Sequence, residues 1–309
     1  MDNILQLSPS PHIHSGRSTA SVMRDVLIAL LPAALAGTVI FGLRSLLVIA
    51  VCVTSCVLFE AGYNLLAKKK QTVGDLSAAV TGLLLGLNLT AGIPIWQCVI
   101  GSVFAIVVVK CLFGGIGCNL VNPAITARIF MLVSFGSMAT YSFPTVIEVA
   151  SGATPLAQIE SGTLPRLYDL LLGTTGGAIG ETCAIALLLG FVYLLVRRVI
   201  TWHIPVAFVG SVFILSLLYS GFDAMAALSL ILSGGLLLGA IFMATDYVTS
   251  PATATGKLIF GLGAGVLTFL IRHFGVYPEG ISFAILLMNI LNPYIEKLTA
   301  RKIFGGVKA

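Results

Sequence analysis

The stretch MRDVLIALLPAALAGTVIFGLRSLLVIAVCVTSCVLFEAGYNLLAKKK, residues 23–70, decides the fold class. It holds two apolar runs, divided at Gly42-Leu43-Arg44 and closed by Lys68, Lys69 and Lys70. Each run is long enough, at about 20 residues, to cross a hydrocarbon core roughly 30 Å thick. Lipid offers the backbone no hydrogen-bond partner, so such runs are stable only as helices. The expectation is an all-α, polytopic integral membrane protein.

The rest of the 309 residues continues in this manner: 58% are hydrophobic and only 9% charged, with a mean hydropathy of +1.05, where a soluble domain is nearer a quarter charged. The apolar text predicts about ten transmembrane helices, over 24–43, 45–67, 75–92, 95–113, 122–137, 179–197, 203–220, 224–244, 257–274 and 279–296. The first twenty residues, MDNILQLSPSPHIHSGRSTA, lack the apolar segment of a cleavable signal. The expected divisions are an N-terminal arm (1–23), a first five-helix unit (24–137), a loop (138–178), a second five-helix unit (179–296) and a basic tail (297–309).

The net charge of +5 gathers at helix ends instead of on one basic face, which argues against nucleic acid as a partner and makes the charges markers of topology. Lys68, Lys69, Lys70, Arg197, Arg198, Lys257, Lys297, Arg301, Lys302 and Lys308 fall on one side, which the positive-inside rule makes cytoplasmic. Both termini are then cytoplasmic. The loop over 138–178 is expected outside, with Glu148, Glu160 and Asp169. Four charges fall in or beside apolar helices: Glu60, Lys110, Arg128 and Glu181. They read either as an ion path facing a cavity or, for Lys110, as a snorkelling side chain and, for Glu181, as a helix cap. Six cysteines form no CxxC pair and read as small core residues. The alternative for Cys111 and Cys118 is an iron–sulfur site completed by another subunit.

Internal similarity supports an inverted repeat. TGLLLGLNLTAGIP (81–94) resembles SGGLLLGAIFMATDYVTSP (233–251), and GGIGCNLVNPAITARIF (114–130) resembles FGVYPEGISFAILLMNI (274–290). Each pair lies five expected helices apart, and an odd number of crossings inverts the second copy, placing binding sites at broken helices on the repeat interface.

Four polar islands interrupt the apolar text. In SGATP (151–155), the small residues Ser151, Gly152 and Ala153 leave the Thr154 hydroxyl exposed, and Glu148 could help hold a cation or a proton; a plain surface turn fits the same residues. GTTGGAIGE (173–181) puts Gly176 and Gly177 before a helix, where free N–H groups suit a phosphate, though a flexible connector reads equally well. GGIGCNLVNPA (114–124) carries Asn119, Asn122 and Pro123, whose backbone must line a cavity or be covered by protein. ATDYVTSPATATG (244–256) carries Asp246, Thr249 and Ser250, either in a site or solvated at the interface.

These islands, together with SPHIHSGRSTASVMRDVLIALLPA (10–33), LYDLLLGTTGGAIGE (167–181) and FMATDYVTSPAT (242–253), resemble the D subunits of Rnf complexes over almost the whole chain. The related B subunits of sodium-translocating NADH:quinone reductases have a longer N-terminal extension, which this sequence lacks. The resemblance implies a redox subunit of a bacterial inner-membrane complex that moves electrons between ferredoxin and NAD while translocating sodium ions or protons, in company with the other Rnf subunits. It also implies that Thr154 is esterified to FMN by a separate flavin transferase, with FAD as donor. The usual motif carries aspartate where this sequence has Glu148. Two further threonines follow similar text: Thr163 lacks the preceding alanine, and Thr253 lies on the expected cytoplasmic side. Gly176, Gly177, Glu181, Asn88 and Thr90 are then the expected surroundings of the FMN. A second, non-covalent flavin, riboflavin, is implied nearer the cytoplasm, with Asn119, Asn122, Asp246, Thr249 and Ser250 as its candidates. A channel or secondary transporter for a small solute is the competing reading, since inverted repeats serve both. A scaffold that only anchors other subunits leaves all four islands unexplained.

Overall fold

The computed structural model describes residues 18–136, 154–161, 163–275 and 280–300, so residues 1–17 of the expected N-terminal arm, the basic tail from Arg301 and the first part of the expected outer loop lie outside the described residues, while the last residues of that arm already belong to the first helix. All regular elements among the described residues are helical. In chain order they are α1 (Thr19–Phe41), α2 (Leu43–Leu66), α3 (Ser77–Leu87), α4 (Ile95–Val103), α5 (Pro123–Ser134), α6 (Pro155–Glu160), α7 (Leu167–Leu172), α8 (Ala184–Val196), α9 (His203–Tyr219), α10 (Ala224–Leu232), α11 (Leu236–Leu238), α12 (Ala254–Phe274) and α13 (Ile281–Thr299). Two of them run on as π-helix, α4 through Phe104–Cys111 and α11 through Gly239–Met243.

Four helices, α1, α2, α12 and α13, are long and apolar enough to cross a membrane by themselves. A fifth crossing arises if α10 and the α11 segment count as one span bent by 65°. Five shorter apolar helices, of 10–17 residues, occupy the other positions where the sequence predicts spans. The fold is therefore that of a polytopic membrane protein.

Small residues bring the helices together, as expected where lipid is no less apolar than leucine and close van der Waals packing must hold helices to one another. α9 packs along α12, α2 along α3, and α1 along α8. A Cβ at Gly82 of α3 would stand 2.7 Å from the Cys52 carbonyl oxygen of α2, and one at Gly261 of α12 would stand 2.8 Å from Ala207 Cβ of α9. At Gly190 of α8 it would overlap the Ala29 carbonyl oxygen of α1.

The expected span over 75–92 ends instead at Leu87, and the one over 179–197 begins at Ala184. Both departures have one cause. Asn88 turns its Nδ2 back onto the Leu84 carbonyl at 2.7 Å and closes the helix. The carbonyls freed beyond it are taken by other parts of the chain: Leu87 and Leu89 accept from the Gly180 and Ile179 N–H groups at 2.8 and 3.0 Å, and Ala91 and Gly92 accept from Arg44 at 2.9 and 3.3 Å. Residues 175–183 are thus non-helical because they lie along the interrupted α3. Gly180 makes the approach feasible, since a Cβ there would stand 2.6 Å from Leu87 Cβ.

The second interruption, Ser233-Gly234-Gly235, divides the expected span over 224–244. Gly234 has φ +63, a left-handed conformation that glycine adopts without strain. Arg272 of α12 donates to the freed Leu230 and Ser233 carbonyls at 2.7 and 3.1 Å. Gly190→Val is expected to lower the thermal unfolding midpoint of the detergent-solubilised protein, since overpacking costs typically about 1–3 kcal/mol. Gly62→Ala, at an α2 position with nothing within 4 Å of an added Cβ, should leave the midpoint unchanged or raise it by the roughly 0.5–1 kcal/mol that alanine gains over glycine inside a helix.

Candidate functional site

Two clefts form beside the interrupted helices. The first, with about 410 Å³ of empty space partly open to solvent, brings together Thr154, Gly176, Gly177, Glu181, Thr182 and the Ser233–Gly234 break. Thr154 is the N-cap of α6, with Pro155 at the first helical position. Proline suits that position because its missing N–H is one the helix leaves unpaired anyway. The Thr154 Oγ1 accepts a long 3.4 Å bond from the Ala157 N–H, an arrangement that leaves its own O–H free to donate. The half-buried Thr154 is the site's reachable hydroxyl. Leu156, next along α6, packs against the α10 break, where a Cβ on Gly234 would stand 3.0 Å from it.

Beneath this cleft lies a buried ion pair. Glu181 and Arg128 of α5 are 2.9 Å apart, with side chains 2% and 7% exposed. Arg128 also donates to the Asn88 Oδ1 at 2.7 Å. One guanidinium therefore joins the end of α3 to the loop before α8. Glu181 in turn meets the α10–α11 break, where a Cβ on Gly235 would stand 2.5 Å from its Oε1.

The second cleft has about 800 Å³ of empty space, also partly open, and gathers Asn119, Asn122, Thr245, Asp246, Lys110 and Ser77 against Val22 and Val26 of α1. Asn122 caps α5, its Oδ1 accepting from Ala124 and Ile125 at 3.0 and 3.3 Å, while its Nδ2 donates to the Met243 carbonyl at 3.2 Å where the second π-helix ends. Asn289 of α13, in the amide orientation that satisfies both ends, accepts from Asn122 N at 3.1 Å and donates to the Thr249 carbonyl at 3.3 Å. Asp246 accepts from Thr249 at 3.3 Å. Burial in the loop raises the Asp246 carboxyl above its ordinary range, against hydrogen bonds from Val248, Thr249, Asn119 and Tyr247 that lower it.

Lys110 reaches this cleft from the π-helical end of α4. It does not snorkel. Its Nζ, on a side chain 4% exposed, donates to Glu60 Oε1 at 2.7 Å and Ser77 Oγ at 2.6 Å. Thr72 also donates to Glu60, at 2.9 Å.

The structure therefore gathers the expected residues into two groups. Thr154, Gly176, Gly177 and Glu181 share the first cleft, although the two glycines precede the helix by several residues and are not at its N-terminus, and Glu181 pairs with Arg128 instead of capping α8. Asn88 touches that cleft only through Arg128, and Thr90 is buried outside its lining. Glu148, Ser151, Gly152 and Ala153 lie outside the described residues. Asn119, Asn122 and Asp246 share the second cleft, but the Asn122 amide is consumed in capping. Thr249 stands behind Asp246, and Ser250 faces a neighbouring hollow beside Lys257. Thr182, Ser233 and Ser77 belong to the clefts without having been singled out from the sequence. Cys111 is buried and Cys118 exposed, and among the described residues no three His, Cys, Asp or Glu side chains converge as metal ligands.

Removing one member of a buried ion pair strands the other. Lys110→Met is expected to destabilise the protein by about 3–5 kcal/mol, and the double variant with Glu60→Gln to recover much of that loss. Thermal unfolding of the two variants and the wild type in detergent measures the difference.

Residues 6–305 match the model of the NQR2, RnfD, RnfE family. The chain is 46% identical to the D subunit of the Na(+)-translocating ferredoxin:NAD(+) oxidoreductase complex of Acetobacterium woodii, over 98% of this chain and 96% of that one. It is 39% identical to the D subunit of the proton-translocating ferredoxin:NAD(+) oxidoreductase complex of Clostridium ljungdahlii, over 98% and 97%. It is 38% identical to the D subunit of the ion-translocating oxidoreductase complex of Marinobacter nauticus, over 97% and 95%. With its interrupted helices, its two clefts and a match along nearly its whole length, the chain belongs to the NQR2, RnfD, RnfE family.

Proposed function

We propose that this chain is the flavin-carrying D subunit of an Rnf-type complex, passing electrons between ferredoxin and NAD while the complex translocates sodium ions or protons. It is not catalytic alone. The observation that carries the reading is that Thr154 lines the same cleft as Gly176, Gly177 and Glu181. FMN fits the residues present: the threonine offers a reachable oxygen for a phosphoester, and the buried Thr182 hydroxyl in the cleft has no hydrogen-bond partner among the described residues. A bound flavin supplies one-electron transfer through its ring, and the phosphoester leaves that ring free. The protein's own part is to tether, to bury and to orient. Thr154 holds the attachment at the head of α6, where a flavin transferase can reach it with FAD as donor, and the bare backbone at Gly176 and Gly177 leaves room beside it.

The second cleft is the corresponding place for non-covalent riboflavin. Asn119 and Asp246 supply polar groups on its wall, and Val22 and Val26 of α1 supply an apolar one. Ten crossings in two inverted five-helix repeats, with both termini on the cytoplasmic side of a bacterial inner membrane, fit the four long helices, the bent pair and the five shorter ones. The two interrupted helices, α3 and α10–α11, stand at corresponding places in the two halves, as such repeats require. A solute channel would account for the interruptions but gives no reason for a threonine hydroxyl in the first cleft.

Intact mass after co-expression with the transferase tests the reading. The wild type is expected to carry the added mass of FMN less water and to fluoresce as a denatured band. Thr154→Ala should lose both while leaving the fold nearly intact, because a partly exposed hydroxyl contributes little to stability. Persistence of the mass in that variant would move the attachment to Thr163 or Thr253. For the second flavin, Asp246→Ala with Asn119→Ala is expected to lower extractable riboflavin severalfold, and unchanged content would remove that site.

A further inference from the structure

The first cleft contains polar groups that tethering alone does not use. Thr182 is 5% exposed and lines the cleft, and its hydroxyl has no hydrogen-bond partner among the described residues. Glu181, 3% exposed, lines it too. Arg128 does not line the cleft; it stands behind the carboxylate at 2.9 Å, held in turn by Asn88. The cleft is thus faced by the negative member of an ion pair whose positive member is one layer deeper. An isolated carboxylate at this depth would be costly, so the arginine is what allows a charge to face the ligand.

Resting on the reading that Thr154 carries FMN, we propose that the Glu181–Arg128 pair and Thr182 set the reduction potential of that flavin. One electron entering the ring adds one negative charge unless a proton follows. The Glu181 carboxylate opposes that charge, the Arg128 guanidinium favours it from farther away, and a hydrogen bond donated by Thr182 favours it directly. In a water-poor site these effects are larger than in water. Glu181 and Thr182 face the flavin; Arg128 stands behind Glu181, holds it in place and acts on the flavin only from that greater distance.

The test is an absorbance-monitored redox titration of the full chain, purified within its complex after co-expression with the flavin transferase, with Thr154→Ala subtracted to isolate the covalent flavin. Glu181→Gln keeps the shape and removes the negative charge that faces the cleft. It should move the one-electron equilibrium about tenfold toward reduction, a rise of about 59 mV. Thr182→Val is isosteric and should move it severalfold in the opposite direction. Opposite signs are a signature that simple loosening of the cleft does not give. Flavin retained in both variants with an equilibrium within about twofold of the wild type overturns the proposal. If Glu181→Gln does not accumulate, Thr182→Val decides alone by the presence or absence of its shift. Intact mass of the wild type is read first, so absence of FMN there is scored against the Thr154 reading and not against the role of these residues.

Discussion

Every departure from a continuous helix in this protein obeys one constraint: a backbone carbonyl or amide released within an apolar bundle must find a partner in the protein, because lipid supplies none. At the end of α3 the partners are the Ile179 and Gly180 N–H groups and the guanidinium of Arg44. At the end of α10 they are supplied by Arg272. Arg272 thus closes the α10 half-helix at the end where a dipole carries partial negative charge, and Arg44 takes carbonyls in the loop that follows α3. The cation and the carbonyls satisfy each other, and the chain is free to turn aside. The α10 turn forms part of the wall of the first cleft, where Thr154 meets Gly176, Gly177 and Glu181.

The fold class was legible because its cause is local. Apolar runs such as those in residues 24–67 force helices whatever their neighbours do, and Lys68–Lys70 mark where they stop. The interruptions were not: the expected spans over 75–92 and 224–244 run straight through Asn88 and Gly234-Gly235. The end of α3 at Leu87 depends on residues some ninety positions away, at Ile179 and Gly180, and no periodicity encodes such a partner. For the same reason residues 179–183 looked like the first turn of a helix. Among site residues, Thr154, Gly176, Gly177 and Glu181 stood out by type. Thr182 did not, since one threonine beside a helix start is ordinary until its hydroxyl proves to lack a partner among the described residues. Asn122 was visible as a polar residue at membrane depth, yet its Asn-Pro sequence at a helix start also spells an N-cap, and that is the use the fold makes of it.

Charge within the bundle is handled by pairing, not by reaching for the surface. Glu60 with Lys110 and Glu181 with Arg128 are each buried, close and supported by neutral partners, Thr72 and Ser77 in the first case and Asn88 in the second. Buried pairs contribute little net stability relative to apolar residues of the same shape, since desolvation offsets attraction. Their retention here coincides with the clefts: Lys110 lines one and Glu181 the other. A charge at the wall of a small-molecule site has a use that a leucine could not serve.

The π-helical end of α4 has a consequence for how one rod can serve two neighbours. Leu112 N bonds Val107 O, five residues back, where an α-helix would reach four. The extra residue advances everything beyond it by about 100° around the axis. At the start of the π-helical segment Phe104 stacks on Phe130 of α5 with ring centroids 4.2 Å apart; near its end Lys110 turns to Glu60 on α2. A single inserted residue therefore works as a swivel, letting an aromatic contact with one neighbour and an ionic contact with another be set independently on the same helix.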